Sequence, residues 1–302
     1  MEVVKNHFSL KVYFQAIFRH KLLISLITTG FALISLLYAL NLNDLYKSQI
    51  VLVPSSQQDS LSDMAQNLGS FASLAGVSLS KDSVSKTDEG LRILTSFKFF
   101  NEFIELDDLI LPILLALDSW DSESNELVFD NNIFNKELFS WVEKTNSNLE
   151  TPSIQKAYKK YLSIINIDQD IKTGFITISI KHESPYVAKE WLKDIINLLN
   201  QTFSMQVKQR TINSIEFLNL QLSKTSLTEV KSALSQLIQN QNKTLMLIEA
   251  SDEYLFRTID PPIVSEEKFE PFRSLICIFG TIIGFIFGSF ISFFRDFEFE
   301  LY

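Results

Sequence analysis

The chain has 302 residues, enough for one sizeable domain plus membrane anchors and too many for a small peptide-like fold. Between Asn43 and Phe272, 21 Lys and Arg stand against 32 Asp and Glu, so the central region is acidic and has no basic stripe to neutralise phosphate backbones, which excludes nucleic-acid binding. The one cysteine, Cys277, has no partner within the chain for a disulfide or a cysteine metal cage.

Residues 1–21 carry Lys5, Lys11, Arg19 and Lys21 against a single Glu2. The uncharged run from Leu22 to Leu42 follows, about long enough as a helix to cross a bilayer core. It lacks the small-residue cleavage pattern of a signal peptide, so it is expected to remain as an anchor. Its basic flank places the N-terminus in the cytoplasm. A second uncharged run, 274–294, is bracketed by Arg273 and Arg295. Two spans return the chain to the cytoplasm at residues 295–302 and put residues 43–273 on the far side of the membrane. Gly280, Gly284 and Gly288 recur every four residues in the second run, and Ser292 continues the row. One helix face is therefore almost bare, suited to close packing on the first span or on a partner's helix.

Within the central region, Tyr46 to Val53 reads as a strand ended by Pro54. Leu61 to Leu79 is small, apolar and uncharged, and both a weak helix and a mobile loop fit it. Thr87 to Glu105 is predicted as one helix packing on a sheet, with Leu91, Leu94, Phe97 and Ile104 inward and Asp88 and Glu89 at its positive end. Phe175 to Ile180 alternates strictly and reads as a strand, with Ile164 to Ile167 as its hairpin partner. From Tyr186 to Ile259 there is neither Gly nor Pro, and apolar residues recur with helical period. A continuous helix over about 186–256 would extend roughly 100 Å, so it must project or break. Ser226-Leu-Thr-Glu229 has capping-box spacing and marks a restart, leaving a broken helix and a helical hairpin both open. Asp260, Pro261, Pro262 and Pro271 then make a stiff connection to the second span, because each proline fixes its own φ and pushes the preceding residue out of helix.

Catalytic chemistry finds little footing. No phosphate-cradling glycine loop is present, and His182 is the one histidine outside residues 1–21, so neither a triad nor a histidine metal site can be assembled; it is expected as a satisfied surface residue. The pairs Asp107-Asp108, Asp168/Asp170 and Glu266-Glu267 read as solvated faces of an acidic domain. The sequons at Asn200 and Asn242 fall in the helical stretch and read as chance. No catalytic residue, metal or cofactor is expected.

The order of these pieces resembles the O-antigen chain-length determinants (Wzz), a branch of the bacterial polysaccharide co-polymerases. The resemblance runs through the first span, the Tyr46 to Pro54 strand, Ala72-Ser-Leu-Ala-Gly76, Leu91-Arg-Ile-Leu-Thr-Ser96, and the Gly174 to Ile180 strand with Ser184-Pro185 and Ala188. It continues through Phe217-Leu218, Gln221-Leu222, Leu237-Ile238 with Gln241, and Asp260-Pro261, to the glycine-rich second span. Ser265 departs from it, standing where such proteins often have another proline, and the chain's end at Tyr302 leaves no room for the tyrosine kinase domain fused in capsule and exopolysaccharide members. The resemblance implies an α+β fold: two transmembrane helices flanking a periplasmic α/β base domain with a long projecting helix, in the bacterial inner membrane. It implies a non-enzymatic regulator of O-antigen chain length, a ring-like homo-oligomer commonly described as eightfold, working with an O-antigen polymerase on a lipid-linked polysaccharide. A capsule export or kinase-activating subunit is the near alternative. A two-span sensor would need a cytoplasmic output domain, and an export-pump adaptor would normally have one anchor.

Overall fold

The computed structural model describes residues 19–55, 86–142 and 153–299. Residues 61–79, including Ala72 to Gly76, and most of the basic N-terminal segment lie outside the described residues. The chain forms two compact units, Met1–Leu45 with Glu267–Tyr302, and Tyr46–Glu266.

The second unit is built on a four-stranded antiparallel sheet of β1 (Tyr46–Pro54), β6 (Ile165–Gln169), β7 (Ile176–His182) and β8 (Phe256–Asp260), in the order β6-β7-β1-β8. The alternation that marks β7 in the sequence sends Ile176, Ile178 and Ile180 to one face, where they are fully buried opposite Leu52, Ile50 and Ser48 of β1. The β6–β7 hairpin closes on Asp170, whose carboxylate accepts from the Lys172 amide at 2.9 Å and the Thr173 hydroxyl at 2.8 Å. Gly174 completes that turn at φ +73°, which a side chain would strain.

The sheet is covered by the base of α6 (Pro185–Lys224). Its start is written in the sequence: Pro185 opens the first turn, and Ser184 Oγ accepts from the Val187 amide at 3.4 Å. Ala188, Leu192, Ile195, Ile196, Leu199 and Phe203 then bury one face, each large side chain contributing roughly 1.5–3 kcal/mol. The helix stops at Lys224. Thr225 and Leu227 are extended, and α7 (Thr228–Glu249) runs back along α6, with Lys208 paired to Glu249. The long helical stretch is thus an antiparallel hairpin whose return arm is about 33 Å long. It ends well before Phe256, which opens a strand. The restart falls where the sequence placed it, but the capping box does not form: the N-cap is Leu227, with no side-chain cap, so the Ser226 hydroxyl lies one residue out of register.

The single helix expected over Thr87 to Glu105 is two, α2 (Lys86–Leu94) and α3 (Phe97–Ile104), separated at Thr95-Ser96. Ser96 caps α3, its Oγ accepting from the Phe99 amide at 3.2 Å. The break resets the helical phase, so Phe99, Phe100 and Phe103 face inward while Phe97 is exposed, and the pair packs chiefly on α6 and α5 (Ile154–Ile164) rather than on the sheet. Two tyrosines of α5 satisfy the carbonyls at the break: Tyr161 donates to Leu94 O at 3.0 Å and Tyr158 to Thr95 O at 2.6 Å. The short helix α4 (Ile110–Ala116) and two small hairpins, β2 (Leu117–Asp121) with β3 (Glu126–Phe129) and β4 (Phe134–Asn135) with β5 (Ser140–Trp141), complete the described residues of this unit.

His182, expected at the surface, is buried at the end of β7. Its ring meets Trp191 edge-on, and its Nδ1 accepts from the Ser184 amide at 3.0 Å. Burial disfavours the imidazolium and brings the pKa down to about 4 from 6.5. The unfolded chain therefore binds this proton first on acidification, so stability is complete above the ordinary histidine value and is lost as pH falls from 6.5 toward 4. Between about pH 7 and about pH 5 this group should cost about 2 kcal/mol. His182→Asn keeps an acceptor for Ser184 and cannot titrate. Thermal unfolding should show it less stable than the parent at neutral pH, through lost packing on Trp191, and losing less on acidification; parallel pH profiles would refute this.

Candidate functional site

The first unit is dominated by two apolar helices, α1 (Lys21–Leu40) and α8 (Arg273–Phe299). Each has a 20-residue stretch long and apolar enough to span a bilayer, and only 11% and 17% of the most apolar windows are buried inside the chain. Core helices of a soluble protein would be mostly covered, so this exposure fits a two-span membrane protein.

The two helices pack antiparallel along the glycine row. A Cβ on Gly280 would run into Ser35, one on Gly284 would lie 2.6 Å from Phe31 Cβ and 3.2 Å from Thr28 Cα, and one on Gly288 would lie 3.3 Å from Ile24 Cα. The contact residues Ile24, Thr28, Phe31 and Ser35 form a matching row with helical spacing on α1. The missing side chains are what let the backbones approach, which is the main source of attraction between helices in lipid, where no hydrophobic effect separates a leucine from an acyl chain. Ser292 continues the row and is fully buried, and Ser289 beside it is 1% exposed. Gly30 of α1 stands outside this seam, with nothing within 4 Å of its would-be Cβ. The hydroxyls of Thr28 and Thr281 bond to their own helices, to Ile24 O at 2.7 Å and Ile278 O at 2.7 Å, so neither is presented to lipid for lack of a partner. The bare face is thus filled from within the chain, which leaves the other faces of the two helices for any partner.

At one end of the helix pair a polar collar joins the two strands of chain. Asp44, four residues after α1, accepts from Arg273 at 2.8 Å and from Lys268 at 2.7 Å, and Arg273 opens α8. Leu45 donates to Glu270 O at 2.8 Å and accepts from the Phe269 amide at 2.8 Å, a two-residue bridge beside the ion pairs. Sequence reasoning recognised Arg273 as an interfacial stop but missed its partners. The signal was there: an acid just after one apolar run and two bases just before the other. Of the connecting residues singled out in the sequence, Pro271 belongs to this collar, two residues before α8. Asp260, Pro261 and Pro262 lie in the other unit, where Asp260 ends β8 opposite Val51 and Pro262 is buried. Prolines fit there because β8 is an edge strand, with no neighbour awaiting the missing amide. Near them Ser48 Oγ donates to Ile263 O at 2.9 Å, continuing by side chain the attachment of the chain to β1 after the ladder stops.

Residues 6–106, which take in α1, β1, α2 and α3, match the family model of Wzz, chain length determinant protein. Over those residues, about a third of its length, the chain is similar to the Wzz family. Among solved structures, a full-length bacterial polysaccharide co-polymerase is 12% identical, with 94% of this chain and 96% of that chain covered and a TM-score of 0.37. A fragment of WzzB, a polysaccharide co-polymerase from Salmonella Typhimurium, is 13% identical, with 76% of this chain and all of that chain (100%) covered and a TM-score of 0.28. No curated protein matches. The likeness to the family rests on the matched residues 6–106.

Proposed function

We propose that this Wzz-type chain sets the length of lipopolysaccharide O-antigen, or of a related surface polysaccharide, as a non-enzymatic homo-oligomer working beside a separate polymerase. The observation that carries the reading is the family match over residues 6–106, joined to a pair of spans packed through a glycine row. In this reading the spans, 22–42 and 274–294, lie in the bacterial inner membrane with both termini in the cytoplasm, and residues 43–273 stand in the periplasm, where a lipid-linked polysaccharide grows. The basic residues before the first span support that orientation. His182, spent on Trp191 and on the Ser184 amide, supports a structural use for the central unit's one histidine.

The test is a gel of lipopolysaccharide and capsule from cells with and without the gene, with the protein's membrane insertion checked. Loss of the protein should turn a clustered band pattern into a random ladder in one glycan, which also names that glycan. A loss of surface capsule with unchanged band patterns would move the assignment to an export or kinase-activating subunit. No change in either glycan would remove length control altogether.

A further inference from the structure

A groove runs along one side of the α6 base, in the unit Tyr46–Glu266. Two neighbouring cavities make it up, of about 600 Å³ and about 340 Å³, with Glu89 lining both. Thr202, Gln206, Arg210 and Ser214 line its α6 wall at intervals of four, a polar stripe about 18 Å long at the usual helical rise. The opposite wall comes from α2 and α3, and the floor is apolar, with Ile93 and Phe99 under one cavity and Phe203 and Val207 under the other.

The walls carry groups already set in position. Arg210 donates to Glu89 at 2.8 Å and to Gln206 at 3.4 Å, and the Thr202 hydroxyl donates to Glu102 at 2.9 Å. Lys86 lies over the Tyr254 ring at 5.4 Å, where desolvation lowers its pKa. The charge runs against the rest of the unit. Among the residues lining the two cavities, Lys86, Arg92, Lys98 and Arg210 oppose Glu89 and Glu102, a net of +2, whereas over Tyr46–Glu266 acids outnumber bases 29 to 20. An apolar floor with polar edges suits a ring that presents C–H faces and hydroxyl edges, and the local surplus of cations suits a carboxylate on that ring.

We propose that this groove binds an anionic saccharide, a short stretch of uronic-acid-containing or otherwise acid-substituted glycan chain. The assignment rests on the length-control reading and gives it a glycan-contacting surface. Arg210 and Gln206 meet the sugar's edge, Lys86 and Arg92 meet its carboxylates, and the apolar floor takes its face.

The test uses the full chain in detergent micelles, titrated calorimetrically with oligogalacturonate, with maltooligosaccharide of matched length, and with inorganic phosphate. Oligogalacturonate should bind, more weakly as salt is raised, and the neutral oligomer should bind at least about tenfold more weakly. Arg210→Ala should weaken oligogalacturonate about tenfold. Because Arg210 also holds Glu89, Arg92→Ala serves as a second variant; Arg92 is exposed on the opposite wall, and its loss should weaken binding severalfold with the circular dichroism unchanged. Equal binding of neutral and anionic oligomers, full competition by phosphate alone, or no effect of either variant would overturn the proposal. If the groove fails these tests while gene loss still turns bands into a ladder, length control stands without this site. If the groove binds and gene loss changes no glycan, the saccharide site stands and the length-control reading falls.

Discussion

Replacing Asn200 by alanine is expected to destabilise the central unit by about 3–5 kcal/mol. Asn200 is 3% exposed on α6 and binds the chain just as it enters β8: its Oδ1 accepts from the Leu255 amide at 3.0 Å and the Phe256 amide at 2.9 Å, and its Nδ2 donates to Phe256 O at 3.1 Å. Leu255 and Phe256 are themselves buried, so no water replaces the lost partners. Three backbone groups would be stranded, and the penalty for a buried unsatisfied group exceeds what its hydrogen bond adds when made. The seat of Leu255 is tight as well, since a Cβ on Gly90 would lie 2.5 Å from its Cδ2. Asn242→Ala is the matched control. It removes the other sequon asparagine from an exposed position and should change stability by no more than about 0.5 kcal/mol. Thermal unfolding of the two variants decides the point, and equal stabilities would show that the Asn200 bonds contribute little.

That contrast shows what the sequence could and could not supply. Asn200 and Asn242 have the same sequon context and the same helical setting, yet one is a buried latch and the other faces solvent, because burial is decided by which segment returns to the helix and not by the residues beside it. Local signals with a mechanism were legible: the alternation of β7, the Ser184-Pro185 helix start, the two uncharged runs and the glycine row. Where two conformations of similar local propensity competed, the sequence was silent. Thr95-Ser96 can cap a new helix but falls inside an otherwise helical period, so the phase reset that exchanges Phe97 for Phe99 and Phe100 in the core was not anticipated. The turn at residues 225–227 is made without glycine or proline, and the return of α7 along α6 provides the reason for it. The groove is less legible still. Its stripe at Thr202, Gln206, Arg210 and Ser214 has readable spacing, but three of its four cations, Lys86, Arg92 and Lys98, come from α2 and α3, about a hundred residues earlier, and only the tertiary fold collects them.

Gly284→Leu should have the largest effect on function, because the obstacle it meets includes backbone. Phe31 Cβ at 2.6 Å and Thr28 Cα at 3.2 Å cannot swing aside as a side-chain tip can, so α1 and α8 must separate or rotate. Overpacking of this kind costs about 1–3 kcal/mol, and in lipid little else holds two spans together once close contact is lost. If the paired spans fix how the central units meet one another and a polymerase, then Gly284→Leu should convert a clustered glycan pattern into a broader one without abolishing synthesis. Gly30→Leu is the discriminating comparison. It adds the same side chain to the other span, at a position whose Cβ meets nothing within 4 Å, and should leave the pattern as it was. A membrane-inserted Gly284→Leu protein with an unchanged pattern would separate span packing from length control. Equal effects from both leucines would mean that the outer faces of the helices matter as much as the seam between them.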